Sequence, residues 1–332
     1  MKNGAEQIDI VITWVDGSDP NWLIEKNKFL GIESSISQFT NGANRYQDQG
    51  LLKYWFRGIE KFMPWINKIY FVTYGHYPDW LNLENKKIKL VKHSDFMDAK
   101  YLPTFSSNPI LLNLHRIPEL SDKFIYFNDD MFVINPCKPT YFFKNGLPCD
   151  MAVLNPIVAP DLDPFWDMML NNVMVINKNF EKQQVLKKYH RKWFTCKYGF
   201  KNLVRNYCLK PYKSFPGFYD NHLPNAFLKS TFKEVWEKNF DICDSTCMNK
   251  FRTENDITEW TMKYWQLAKG TFSPINKDKL GKFVSLKSDS AINYLRNNPV
   301  APLVCLNDES ENLEKIVEYF ENKFPVKSKF EK

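Results

Sequence analysis

Four short apolar runs punctuate the first half of this chain and constrain its fold more than any other feature. They are Ile8–Val15, Lys68–Thr73, Ile88–Val91 and Lys123–Phe127. The first is β-branched and apolar throughout most of its length, as a central strand is. Between the runs the pattern turns helical. Leu51, Leu52, Trp55, Ile59 and Phe62 recur at helical spacing, and Pro64 stops them. A loop over Pro103–Pro109 leads into a helix over Ile110–Arg116. Strands alternating with helices predict an α/β fold with a mainly parallel sheet.

Two of these strands run into polar turns. Ile8–Val15 ends in Asp16-Gly17-Ser18-Asp19-Pro20, and Lys123–Phe127 ends in Asn128-Asp129-Asp130, followed by the apolar stretch Met131–Ile134. The ends of parallel strands are where α/β sheets hold ligands. Farther along, 31–45 reads as a polar loop and 150–180 as irregular, with a strand near Val173–Ile176. Phe232–Trp236, Thr258–Ala268 and Glu311–Phe324 read as helices, the last followed by a frayed basic end. Internal repeats and low-complexity tracts are not evident.

At 332 residues the chain can form one large α/β domain or two small ones. Its net charge of +7 favours an anionic partner, either a nucleotide sugar or a membrane surface. No nucleic-acid-binding module is recognisable, so nucleic acid is not expected. Seven cysteines, an odd number, and no secretory-type leader pattern suggest free thiols in a reducing compartment. No run reaches membrane-spanning length. Cys243 and Cys247 lack a second pair at zinc-ligand spacing. Residues 186–213 stand apart: nine Lys or Arg, no Asp or Glu, and Trp193, Phe194, Tyr198, Phe200, Tyr207 and Tyr212 among them.

The chemistry-bearing candidates begin with Asp129 and Asp130. Adjacent carboxylates after a buried strand repel unless a cation or hydrogen bonds offset them. A Mg²⁺ or Mn²⁺ ion bound to a diphosphate is one such offset, because hard oxygen ligands suit it. A solvated turn capping a helix is the alternative. The Asp16–Asp19 turn offers either backbone N–H groups and carboxylates to a nucleotide or an ordinary Asx turn. His222, in a turn-rich stretch before a helix, is either a general base or a surface histidine. Arg252 and Asp256 are an i,i+4 helix-surface pair, or Arg252 clamps a phosphate.

Together these segments resemble the Stealth family of capsular and exopolysaccharide phosphotransferases, whose animal relatives are the lysosomal-enzyme N-acetylglucosamine-1-phosphotransferases. The resemblance rests on four blocks: IDIVITWVDGSDP (Ile8–Pro20); Arg45–Asp130, with RYQDQGLLKYWF and KFIYFNDD; HLPNAFLKSTFKEVW (His222–Trp236); and FRTENDITEWTMKYWQLAKG (Phe251–Gly270), with LVCLND beyond it. The large insertions of the animal enzymes are absent, which puts a protein acceptor in doubt.

The resemblance implies one catalytic domain over 1–332 with a GT-A-like, Rossmann-like core. Within it, 8–150 is the nucleotide-sugar-binding α/β half and 220–310 a helical half completing the site; the basic and aromatic residues of the 186–213 insertion themselves suit an anionic bilayer surface, with a solvated basic face or an acceptor groove as the alternatives. It further implies a UDP-sugar donor, a lipid-linked glycan acceptor, a divalent metal (Mg²⁺ or Mn²⁺) and a cytoplasmic location at the inner membrane face, where the surface is anionic. Asp130 and Asp129 are the implied metal residues. His222, Arg252 and Asp129 are the implied catalytic ones. Trp14, Asp16, Gly17, Asp19, Arg45, Asp48, Asn108, Arg116, Asn128 and Asp256 are implied to bind the donor, with His115 positioning. The expected reaction is transfer of a sugar-1-phosphate with release of UMP. A GT-A glycosyltransferase releasing UDP and a non-catalytic sugar-binding protein are the rivals.

Overall fold

The structure, a computed structural model, describes residues 7–31, 50–287, 289–307 and 313–332. The strands in chain order are β1 (Ile8–Thr13), β2 (Ile69–Thr73), β3 (Ile88–Lys92), β4 (Lys123–Phe127), β5 (Met131–Val133), β6 (Phe143–Lys144), β7 (Leu147–Asp150), β8 (Asn225–Leu228), β9 (Ser273–Pro274), β10 (Gly281–Ser285) and β11 (Leu303–Asn307). The helices are α1 (Pro20–Leu30), α2 (Leu52–Phe62), α3 (Ser107–Leu112), α4 (Phe165–Asn179), α5 (Lys182–Lys188), α6 (His190–Trp193), α7 (Phe200–Leu209), α8 (Lys229–Lys238), α9 (Phe240–Met248), α10 (Trp260–Lys269), α11 (Ser290–Asn297) and α12 (Leu313–Lys323).

The main sheet has the order β3-β2-β1-β4-β8. Its first four strands are parallel, and β8 runs antiparallel along the edge of β4. Alternate residues feed opposite cores. Ile8, Ile10 and Ile12 of β1 join one with α2, α11 and α12, while Val11 joins the other with α3, α4, α8, α9 and α10. Helices on both faces explain why these strands are apolar without alternation. Asp9 is the exception inside β1. It is fully buried, and its carboxylate accepts from Asn67 Nδ2 at 2.7 Å, Lys68 N at 3.1 Å and Ser121 N at 2.7 Å. It thereby ties the start of β1 to the segments entering β2 and β4.

This strand order creates the crevice. The chain builds outward from β1 through β2 to β3, then returns to lay β4 on the opposite side of β1. Connections leaving β1 and β4 therefore diverge, and ligands of open α/β sheets bind at such a reversal. A second sheet, β10-β11-β5, meets the first at the turn between β4 and β5. β11 pairs antiparallel with β5, with Cys305 opposite Met131. Helix α2 presses on β5 so closely that a Cβ at Gly58 would lie 2.3 Å from the Val133 carbonyl oxygen, so only glycine fits there. A third small sheet has the order β6-β7-β9.

The structure corrects several expectations. Residues 165–179 form helix α4 rather than irregular chain with a strand. Met168, Met169, Asn172, Val173 and Ile176 are buried at helical spacing, so one long face outweighs the β-branched pair Val175-Ile176. The half spanning 220–310 also supplies β8, β9, β10 and β11, so it is not helical alone. His222 precedes a strand, β8, before the helix follows. The basic end is docked. Phe330 is buried, Arg57 grips Glu331 through Nε–Oε1 at 2.8 Å and Nη2–Oε2 at 2.6 Å, and Lys332 N donates to the Trp80 carbonyl at 2.8 Å. The helix expected over Ile110–Arg116 starts earlier, at Ser107, because the Ser106 side chain caps it, and ends at Leu112. Most of the polar loop expected over 31–45 lies outside the described residues.

Candidate active site

The turn after β1 is held from two directions. Asp16 Oδ1 accepts from Ser18 N at 2.9 Å and Ser18 Oγ at 2.6 Å, closing an Asx turn around Gly17. Asp19 caps α1 by accepting from Trp22 N at 2.8 Å. His76, which sequence reasoning missed, lies behind this turn. Its Nε2 accepts from Asp16 N at 2.8 Å, which requires the neutral ring with its proton on Nδ1. Nδ1 lies 3.7 Å from Asp19 Oδ2. Burial lowers the His76 pKa, the nearby Asp19 and Asp16 opposing, in keeping with that neutral state. Trp14 stacks on Phe71 at 5.7 Å and meets His76 edge-on at 5.4 Å.

Across the crevice, β4 delivers the acidic turn. Tyr126 OH donates to Asn128 Oδ1 and lies 3.1 Å from Thr13 Oγ1 at the end of β1, so the two strand ends are linked directly. The Asn128 carbonyl accepts from Met131 N at 3.2 Å, which folds Asn128–Met131 into a tight turn. Asp129 is exposed on it. Asp130 turns inward, and the β5–β11 pairing decides its neighbours. Leu306 N donates to the Asp130 carbonyl at 2.8 Å, and Asn307 Nδ2 donates to Asp130 Oδ2 at 2.6 Å. Asp130, His222 and Cys305 present ligand atoms all within 4.8 Å of one another. Burial raises the Asp130 carboxyl pKa, with His222, Cys305 and Asn307 opposing, and the same burial pushes the Cys305 thiol well up. Asp130 Oδ1 is buried without a hydrogen-bond partner among the described residues. A buried carboxylate oxygen in that state calls for a partner from outside these residues, water or an ion among the candidates.

His222 reaches Asp130 because β8 lies antiparallel to β4, with Asn225 opposite Tyr126. Continuing that register brings the residues before Asn225 alongside the acidic turn. The backbone at His222 is left-handed, with φ of 50°. Such strain persists only where the surroundings impose it. They do so with four charges, three of them buried (Asp150, Lys263 and Lys277) and one, Asp220, nearly so. Asp220 Oδ1 accepts from His222 N at 2.5 Å, and Asp220 Oδ2 accepts from Lys263 Nζ at 2.5 Å. Lys263 and Lys277 each lie 3.8 Å from Asp150 Oδ1. Lys277 Nζ also donates to the Pro224 carbonyl at 3.2 Å and Asn225 Oδ1 at 3.1 Å. Burial alone would raise the Asp220 carboxyl; Lys263, Lys277 and His222 instead hold it down to about 2.

Arg252 and Asp256 are not a helix-surface pair, since the chain from Phe251 to Glu259 is non-helical. Arg252 Nη2 donates to Ser107 Oγ at 2.6 Å at the start of α3. Asp256 is fully buried, and its carboxylate accepts from Asn108 Nδ2 at 3.0 Å, Asn249 Nδ2 at 2.8 Å, Thr253 Oγ1 at 2.9 Å and Thr253 N at 3.2 Å. The Asp256–Asn108 pair, expected to bind the donor, joins α3 to the loop carrying Arg252. Phe251 stacks on Phe105 at 5.3 Å, and Trp22 of α1 meets Phe105 at 5.8 Å, which packs that loop beside the β1 side.

Arg116 and His115 are not brought to the crevice. They precede β4, at the end of the strand opposite Asn128–Asp130. The Arg116 guanidinium lies over the Trp236 ring at 4.6 Å, and His115 packs against Phe232 at 5.6 Å. Arg45 and Asp48 lie outside the described residues.

Glu259, by contrast, belongs to the site and was not singled out. It precedes Trp260, whose ring meets His222 edge-on at 6.2 Å. Burial pushes the Glu259 carboxyl up to about 7, only partly offset by hydrogen bonding to its own backbone and by the nearby His222 and Arg252 side chains. The folded value lies above the ordinary 4.5, so the stability contribution is full below pH 4.5 and lost as pH rises through about 7. Glu259→Gln should remove that decline, so urea midpoints of variant and wild type should diverge above pH 7 and converge below pH 4.5. Parallel curves across that range would place the Glu259 ionisation elsewhere.

Residues 6–34 match the family profile described as Stealth protein CR1, conserved region 1, and residues 45–150 match Stealth protein CR2, conserved region 2. The chain is 43% identical, over all of both chains, to a capsular polysaccharide phosphotransferase WcwK of Streptococcus pneumoniae. It is 40% identical to the exopolysaccharide phosphotransferase cps2G of Lactiplantibacillus plantarum, covering 100% of this chain and 98% of that one. Among solved structures, the galactosyltransferase LgtC in complex with donor and acceptor sugar analogs superposes with a TM-score of 0.43 at 10% identity, over 97% of this chain and 98% of the other.

Proposed function

Given that the chain belongs to the Stealth family of phosphotransferases, we propose that it transfers a sugar-1-phosphate from a UDP-sugar to a hydroxyl of a lipid-linked glycan, forming a phosphodiester and releasing UMP. The acceptor is presented at the cytoplasmic face of the membrane, where capsular, exopolysaccharide or receptor polysaccharides are assembled. The observation that carries this reading is the convergence of Asp130, His222 and Cys305 within 4.8 Å at the reversal of strand order. No helix among the described residues is long and apolar enough to cross a membrane.

The residues fit a hard divalent ion. The orphaned Asp130 Oδ1 is an oxygen donor of the kind Mg²⁺ or Mn²⁺ prefers, and Asp129, exposed on the same turn, would supply a second carboxylate. When bound, the ion supplies positive charge against a diphosphate. The chain's own residues do the rest. His222 takes the proton from the attacking hydroxyl. Arg252 balances charge on the transferring phosphoryl oxygens. The Trp14–Asp19 turn, backed by His76, holds the nucleoside side of the donor, and Asn128 fixes the acidic turn through Tyr126. Asn307 orients Asp130 through Oδ2.

Incubation with several UDP-sugars, Mg²⁺ or Mn²⁺ and membrane glycolipid should release UMP. Release of UDP would instead indicate a glycosyltransferase that moves the sugar without its phosphate. Asn307→Ala should weaken metal activation by about 10–100-fold, the usual effect of losing a ligand's hydrogen-bonding support. Asp130→Asn should abolish metal dependence and activity together. Full activity of that variant in chelator would sink the metal assignment.

A further inference from the structure

Helix α7 is built inside out. Its buried residues are Asn202 and Asn206, whereas Phe200, Val204 and Tyr207 are 83%, 42% and 50% exposed. Cys208 is exposed as well. Positions 200, 204, 207 and 208 share one helical face. The asparagines point inward because they hold backbone. Asn206 Oδ1 accepts from Leu154 N at 2.7 Å, and its Nδ2 donates to the carbonyls of Ala152 at 2.8 Å and Trp193 at 2.7 Å. Asn202 Nδ2 donates to the Tyr198 carbonyl at 3.1 Å and Asp278 Oδ2 at 3.3 Å. The polar face is thus fully used by the protein; on the apolar face Tyr207 rests on the Phe194 ring at 4.7 Å, and the remainder stays exposed to an outside partner.

The surrounding charge says what that is. Residues 186–213 carry nine Lys or Arg and no carboxylate side chain, with Lys197, Lys201, Lys210 and Lys213 exposed. Tyr212, 58% exposed, follows the helix. We infer that the outer face of α7 docks on an anionic lipid bilayer. Phe200, Val204 and Tyr207 enter the boundary between headgroups and acyl chains, and the lysines meet lipid phosphates. A second copy of the chain does not suit this face, because a twofold contact would set two cationic segments against each other.

The placement rests on the proposed lipid-linked acceptor and gives that reading a direction. The Arg205 guanidinium of α7 lies over the Tyr219 ring at 5.5 Å, and Tyr219 OH donates to Asp278 Oδ1 at 3.0 Å. Asp220 follows, and it holds His222 N. The docked helix therefore leans on the segment that carries the proposed base, so an acceptor anchored in the bilayer arrives on the His222 side of the crevice.

The test is co-sedimentation of the full chain with vesicles of phosphatidylcholine, alone or mixed with phosphatidylglycerol. Wild type should bind the anionic vesicles at low salt about tenfold or more better than the neutral ones. Phe200→Ser/Val204→Ser/Tyr207→Ser should lower that binding by about tenfold while unfolding stays cooperative, with a thermal midpoint lowered by only a few degrees for the lost Tyr207–Phe194 contact. An environment-sensitive dye on Cys208, in a Cys196→Ser background, should shift to the blue only with anionic vesicles. Equal vesicle binding by variant and wild type, or no dye shift, would overturn the assignment. So would self-association of wild type that the triple variant abolishes. Vesicle binding lost in the variant while no UDP-sugar yields UMP would uphold this face and overturn the reaction proposed above. UMP release without any vesicle binding would do the reverse.

Discussion

His222→Ala should lower turnover by about 10²–10⁴-fold, the usual contribution of a positioned general base. Its affinity for the UDP-sugar, measured by calorimetry, should stay within about twofold of wild type. The separation follows from the architecture. The side of the crevice proposed to hold the nucleoside is built from the turn after β1, Trp14 and His76, and none of these depends on the imidazole of His222 for its hydrogen bonds. His222 instead arrives from the opposite side, by the register of β8 on β4. A fall of less than tenfold in UMP release would remove it from the chemistry. Glu259 would then be the first group to test, since burial leaves its carboxyl titrating at about 7.

The largest stability effect should come from Lys263→Met. Lys263 is buried, with 2% of its side chain exposed, and it lies 2.5 Å from the mostly covered Asp220 carboxylate and 3.8 Å from that of buried Asp150. Removing one partner of a buried ion pair leaves uncompensated charge and costs about 3–5 kcal/mol. The variant should show that loss by urea unfolding near neutral pH. Acid titration adds a second signature. The Asp220 carboxyl is held down to about 2 against an ordinary 3.8. A depressed folded value contributes stability above pH 3.8 that is lost as pH falls through about 2. Wild type should therefore weaken across that window, and the variant should show a smaller decline. A loss below about 1 kcal/mol would mean that Lys277 alone neutralises Asp150 and Asp220. Because Asp220 also fixes the left-handed backbone at His222, kcat should fall with the stability, and KM for the donor should change less.

The parallel strands were legible because burial on both faces leaves an uninterrupted apolar run. β4 appears at the expected bounds, and β1, β2 and β3 lie within a residue or two of theirs. The turns at Asp16–Asp19 and Asn128–Asp130 were legible for the related reason that carboxylates clustered after such a run stand out. Helix α4 was not, because Val173–Ile176 is locally as strand-like as it is helical, and only packing against α10 decides. Cys305, Asn307, Lys263 and Lys277 could not be found by spacing. Their roles arise from the pairing of β11 with β5 and from contacts across more than forty residues of chain. Asp256 stood in a family block, but its four internal donors could not be read from spacing either, because Asn108 lies 148 residues away along the chain.

The junction between β5 and β11 also sets an order of events during synthesis. Asp130 leaves the ribosome 177 residues ahead of Asn307, the side chain that clamps it. At about 5–20 residues per second, that interval is roughly 10–35 s. For its duration the nascent chain can assemble β1 to β4 and display the acidic turn. It holds neither the clamp nor Cys305, and for most of that time it also lacks His222. The Asp130 carboxylate therefore gains its geometry only when the last strand closes onto β5, so chains stalled before β11 present the acidic turn without Asn307 or Cys305 beside it.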